Sequence, residues 1–114
     1  MLRYTKLYAG ASWMEEYGDP ADPEMREYLA QFSPYHQLSG SLHYPPAFIT
    51  TSLADDRVHP AHALKFYAKL ATLQPNTTWL YAPETGGHTG NGTQEQSANE
   101  LACLLAFLRQ TIGS

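Results

Sequence analysis

The stretch 44–62, YPPAFITTSLADDRVHPAH, most narrows the folds open to this chain, because it reads as a strand delivered straight into a helix. Pro45 and Pro46 impose an extended approach, and Ala47, Phe48, Ile49, Thr50 and Thr51 form a β-branched and aromatic run of buried-strand length. Pro60 suits a first helical turn, where its missing N–H costs nothing. Ala63, Leu64, Phe66, Tyr67, Leu70 and Leu73 continue at helical spacing and predict a helix over 59–73. Asp55, Asp56 and Arg57 therefore fall in the loop at the carboxyl end of a strand. Open α/β sheets carry their chemistry there.

A second unit of the same kind follows. Residues 77–82, Thr-Thr-Trp-Leu-Tyr-Ala, predict a strand closed by Pro83, and the loop 84–92 sets four glycines around His88. Thr93 and Gln96 have capping-box spacing, and Ala98, Leu101, Leu105, Leu108 and Ile112 run down one face of a closing helix. Upstream, Asp22 caps and Pro23 opens a helix over 23–32 with Met25, Leu29 and Phe32 inward, stopped by Ser33-Pro34. Residues 36–44 read as a connector, and residues 1–18 as irregular with at most one helical turn. Strands alternating with helices call for a parallel sheet with right-handed crossovers. Two such strands are not expected to stand alone, so the class is a partial α/β fold, the end of a larger sheet.

Length and composition bound the partners. A chain of 114 residues is one domain or a piece of one, and a net charge of -4 gives no electrostatic case for nucleic acid or an anionic membrane. Its apolar runs are far shorter than the ~20 residues a spanning helix needs. With no signal peptide in the sequence, a cytoplasmic location is favoured. Cys103 is the single cysteine, which excludes an intrachain disulfide; its setting among Leu101, Ala102, Leu104 and Leu105 predicts a small core residue. His59 and His62, three apart, lack an evident third ligand, and neither metal nor other cofactor is expected. Asn76-Thr77-Thr78 and Asn91-Gly92-Thr93 fit the glycosylation sequon, which matters only in a secretory chain. Trp13, Trp79 and the eight tyrosines read as core and rim.

An acid after one strand and a histidine in a glycine-rich loop after the next is the acid-then-histidine half of a hydrolase triad. The 33 positions between Asp55 and His88 hold one crossover helix and one strand, so both loops emerge at the same sheet edge. The competing reading makes Asp55 and Asp56 helix caps and His88 an exposed turn residue. Spacing leaves both open.

Several blocks in order go further: Met1-Leu2-Arg3-Tyr4-Thr5-Lys6-Leu7, Trp13-Met14-Glu15-Glu16-Tyr17-Gly18-Asp19-Pro20, Ser33-Pro34-Tyr35-His36, Tyr44-Pro45-Pro46, Asp55-Asp56-Arg57-Val58-His59-Pro60-Ala61-His62 and Gly86-Gly87-His88. Through them the chain resembles, nearly end to end, the carboxyl-terminal part of the catalytic α/β-hydrolase domain of prolyl oligopeptidase-type serine peptidases. The resemblance implies that Asp55 is the triad acid, His88 the general base, and Arg57 the group that binds a backbone carbonyl of a peptide substrate. Asp56 is expected to shape the loop or pair with Arg57. None of Ser12, Ser33, Ser39, Ser41, Ser52, Ser97 and Ser114 lies in Gly-x-Ser-x-Gly. In the family that elbow lies upstream of the Met-Leu-Arg-Tyr block, and the amino-terminal propeller is absent here too. The chain is thus expected to be a fragment, inactive alone. The alternative is a non-catalytic module that self-associates, a homodimer joined through the free edge of the 47–51 strand. A different α/β-hydrolase such as an esterase is disfavoured by Asp-Asp-Arg-Val.

Overall fold

The computed structural model describes residues 1–88 and 92–113; residues 89–91, in the glycine-rich loop and including Asn91 of the second sequon, lie outside the described residues. The chain opens with two 3₁₀ segments, Tyr4–Lys6 and Tyr8–Trp13, that lead into a short helix α1, Met14–Tyr17. This is more ordered than the irregular segment expected, and the cause is tertiary. Tyr4 is buried, and its hydroxyl donates to the Gly18 carbonyl at 2.7 Å, pinning the first turn to the end of α1. Gly10 makes the close approach possible, since a Cβ there would fall 1.9 Å from the Tyr4 carbonyl oxygen.

Helix α2, Pro23–Gln31, begins as its sequence dictates, with Asp22 Oδ1 accepting from the Met25 N–H at 2.9 Å and proline at the first position. Leu29 is fully buried, but Phe32 is 46% exposed rather than inward. Phe32 lies just beyond the last helical turn, and the chain folds Ser33 inside instead, its hydroxyl 2.7 Å from His36 Nδ1. Pro34 then starts a further short helix, α3, Pro34–Gln37, where a connector was expected to take over from residue 36.

Strands β1, Ala47–Thr50, and β2, Thr78–Tyr81, pair in parallel with Phe48 opposite Trp79 and Thr50 opposite Tyr81. They are joined by α4, Ala61–Leu73, which starts two residues later than periodicity suggests, with Pro60 at the N-cap and His59 Nδ1, one residue before it, accepting from the Ala61 N–H at 3.0 Å. Helix α4 packs on both strands, Leu70 is buried, and the Thr78 hydroxyl donates to the Gln74 carbonyl at its end. Helix α5, Gln94–Ile112, is capped by Thr93, whose hydroxyl accepts from the Gln96 N–H at 3.2 Å; the Gln96 side chain turns to the Thr85 hydroxyl.

Phe107 docks α5 on the sheet, its ring 5.5 Å from Phe48 and 5.3 Å from Trp79. That choice of face leaves Leu101, Leu105 and Ile112 exposed, with Ile112 at 79%, and leaves Cys103 exposed as well, contrary to its expected core position. A two-stranded sheet offers too little surface for a helix of 19 residues. The same shortage appears in the whole chain. Its accessible surface of 7887 Å² exceeds the roughly 6,200 Å² of a closed monomer of this mass. The radius of gyration of 16.0 Å likewise exceeds the roughly 13 Å expected for this length. The excess is about twice the roughly 800 Å² that one partner buries in a standard interface. Among the described residues no helix is long and apolar enough to cross a membrane.

Candidate active site

Parallel pairing sends both strands toward the same sheet end, so the loops that leave β1 and β2 there are neighbours. Three bonds zip them together. Thr51 N–H donates to the Tyr81 carbonyl at 3.0 Å, Leu53 N–H to the Pro83 carbonyl at 2.9 Å, and the Ser52 hydroxyl to the Gly86 carbonyl at 2.7 Å. The consequence is a short distance between the acid and the histidine.

Asp55 divides its two oxygens. Oδ1 accepts from the backbone N–H of Arg57 and of Val58, both at 2.9 Å, and so holds the turn that follows, while Oδ2 lies 2.9 Å from His88 Nδ1. Asp55 does not cap the following helix, which begins at Ala61; one of its oxygens holds the loop turn and the other meets the imidazole. Its side chain is 11% exposed, that of His88 40%. Burial pushes the Asp55 carboxyl upward, but the bond from His88, those from the Val58 and Arg57 N–H groups and the charge of the imidazole outweigh it, and the carboxyl lies below the usual aspartate value. An ionised carboxylate only accepts, so the proton of a neutral His88 sits on Nδ1 and Nε2 keeps its lone pair. That is the tautomer a general base needs.

The pair borders an open hollow of about 470 Å³ that Ser52, His59, His62 and Glu100 also line. Arg57 is tied to Asp55 by its backbone N–H, whereas its side chain is exposed and does not line the hollow. No Asp56–Arg57 ion pair forms among the described residues. His59 Nδ1 is occupied by the Ala61 N–H, and the ring lies against that of Tyr8 at 4.5 Å. Among the described residues no group of three or more His, Cys, Asp and Glu side chains could hold a metal ion.

Ser52 and Glu100 are the lining residues that sequence reasoning missed. A serine two residues after a strand carries no pattern of its own; its role exists only once the glycine loop is beside it. Ser52 also accepts from the Ala54 N–H at 3.2 Å, so one hydroxyl fixes both loops. Ser52→Ala is expected to cost about 1 kcal/mol and to broaden the His88 imidazole signals in nitrogen-15 spectra, with Ser52→Thr restoring them. Unchanged His88 signals in the alanine variant would refute the positioning role.

A parallel sheet end that carries an acid after one strand and a hydrogen-bonded histidine after the next is the closing portion of an α/β-hydrolase. The chain belongs to the prolyl oligopeptidase family, which it matches over residues 1–114, and it corresponds to the carboxyl-terminal part of that family's catalytic domain. It is 40% identical over 116 aligned positions to a prolyl endopeptidase of Elizabethkingia miricola, covering 99% of this chain and 16% of the relative. Among solved structures it is similar to a post-proline cleaving enzyme from Rickettsia typhi, with a TM-score of 0.85 and 33% identity over 97% of this chain and 16% of that one. A prolyl oligopeptidase B from Galerina marginata, solved with a bound 35mer hydrolysis and macrocyclization substrate, gives a TM-score of 0.86 at 27% identity, over 99% of this chain and 16% of that one. The chain thus spans about one sixth of the relatives it matches.

Proposed function

We propose that this chain is the acid-and-base portion of a serine peptidase acting on peptides, with Asp55 and His88 completing a triad whose serine comes from outside these 114 residues. The observation that carries the reading is the 2.9 Å bond between Asp55 Oδ2 and His88 Nδ1 at the carboxyl end of a parallel sheet. In the reaction, His88 Nε2 takes the proton of the attacking serine hydroxyl while Asp55 holds the ring and stabilises the imidazolium. His88 then returns the proton to the leaving amine, and water repeats the sequence on the acyl-enzyme. Arg57, exposed beside the acid, donates to a backbone carbonyl of the peptide. These 114 residues hold no Gly-x-Ser-x-Gly elbow, and so neither its nucleophile nor the oxyanion donor that follows it. The 114-residue chain incubated alone with a fluorophosphonate is therefore expected to show no labelled serine by mass spectrometry; a label on any of its serines would overturn the missing-nucleophile reading.

A second reading rests on the free edge of β1, which pairs with β2 alone among the described residues, and on the excess surface. Two copies joined edge to edge across a two-fold axis would form a four-stranded sheet with an antiparallel junction and cover apolar area. Sedimentation at micromolar concentration is expected to find a dimer that dissociates when proline replaces Phe48. A well-folded monomer would sink this reading and leave the first intact.

A further inference from the structure

Away from the acid–histidine pair, a hollow of about 320 Å³ opens between the amino-terminal turns, the α2–α3 corner and the start of α4. Its lining is unusual in charge. Arg3, Arg26 and Lys65 line it together with His36 and His62, and no carboxylate does, although Asp and Glu outnumber Lys and Arg in the chain by 11 to 7. The Met1 α-ammonium also lines it, donating to the Ser33 hydroxyl at 3.2 Å, and a further cation stands at its margin. Lys69 Nζ donates to the Tyr35 carbonyl at 2.7 Å and lies 4.8 Å from the Tyr35 ring centre, over which Lys65 also sits at 5.8 Å. Arg26 donates to the Pro20 carbonyl at 3.4 Å, and His36 Nδ1 meets the Ser33 hydroxyl. These contacts orient the cations without neutralising them.

Helix α4, of 13 residues, adds His62 in its first turn, at the positive end, and Lys65 in the next. Both histidines feel the crowding. Burial first, and then the positive charge of the Met1 α-ammonium, Lys69, Arg26 and Lys65, lowers the His36 pKa. Burial and then the positive charge of the Met1 α-ammonium, His59 and Lys65 lower that of His62. Like charges gathered without a counter-charge repel one another, and an anion in their midst relieves all of them at once.

We propose that this hollow binds a small oxyanion, a phosphate or carboxylate group held by Arg3, Arg26 and Lys65, with His36 and His62 adding ring N–H donors. The shared chemistry has two sources, a free phosphate or the acidic side chain of a polypeptide. A titration separates them. The nitrogen-15-labelled 114-residue chain, in dilute buffer where the Debye length is about 30 Å, is titrated with inorganic phosphate and, separately, with acetate. Saturable shifts at the His36, His62 and Lys65 signals are expected. Binding should weaken about threefold to fivefold for each positive charge removed in Lys65→Gln, Arg26→Gln and Arg3→Gln. Lys6→Gln, outside the hollow, should leave it unchanged, and circular dichroism verifies that each variant is folded. Tighter binding of phosphate identifies the free anion as the source, and equal binding identifies a carboxylate. Shifts that fail to saturate by about 50 mM, far weaker than paired charge-assisted contacts give, or that persist equally in the three variants, overturn the proposal. The readout involves neither serine nor hydrolysis, so it stands or falls apart from the peptidase reading.

Discussion

If the proposed triad is completed by a serine from outside these 114 residues, Asp55→Asn is expected to lower turnover of a peptide substrate about ten-thousand-fold, the order found when a triad acid loses its charge. The reason lies in how the two oxygens are shared. The Arg57 and Val58 N–H groups require an acceptor, so the asparagine would keep its carbonyl oxygen toward them and turn its amide nitrogen toward His88. Nδ1 must then accept, which moves the imidazole proton to Nε2, where the serine proton has to go. The tautomer change is visible in nitrogen-15 spectra of this chain alone, so the cause can be checked separately from the rate. Turnover by the Asp55→Asn variant within about tenfold of the parent would remove Asp55 from the mechanism.

The same carboxylate gives a pH dependence. Its folded value is depressed, so the stability it contributes is complete above the unfolded aspartate value of about 3.9 and is lost as pH falls through the lower folded value. Asp55→Asn should flatten that acid limb.

Leu29→Ala is expected to destabilise the fold by about 3 kcal/mol in urea denaturation, whereas Phe32→Ala, three residues on, should cost less than about 1 kcal/mol. Leu29 is fully buried, and the apolar residues buried with it are Tyr4, Leu38 and Leu70. With so small a core, one large cavity removes much of the few kcal/mol that separate folded from unfolded. Equal costs at the two positions would show that the α2 face is assigned wrongly.

How far the sequence could be read depended on whether the cause was local. Strands at Ala47–Thr50 and Thr78–Tyr81 and a helix through Leu70 follow from proline boundaries and periodicity, and a parallel pairing then puts the Asp55 and His88 loops side by side, where Ser52 helps to tie them. The amino-terminal segment did not yield, because its three turns are held by Tyr4 reaching Gly18 and by the small profile of Gly10, neither of which leaves a period. Helix α5 marks another boundary. Its apolar stripe is plain in Leu101, Leu105 and Ile112, but a stripe states that a face wants covering and not what covers it. Phe107, off that stripe, is the residue that docks.

The βαβ crossover between Asp55 and His88 closes the acid–base distance inside one supersecondary unit, across 33 residues of chain. The entropy of closing a loop grows only with the logarithm of its length, so assembling this pair asks little more than forming the crossover itself. The acid–histidine geometry is therefore a product of one βαβ unit, and in the proposed triad the serine has only to be aimed at a pair already set.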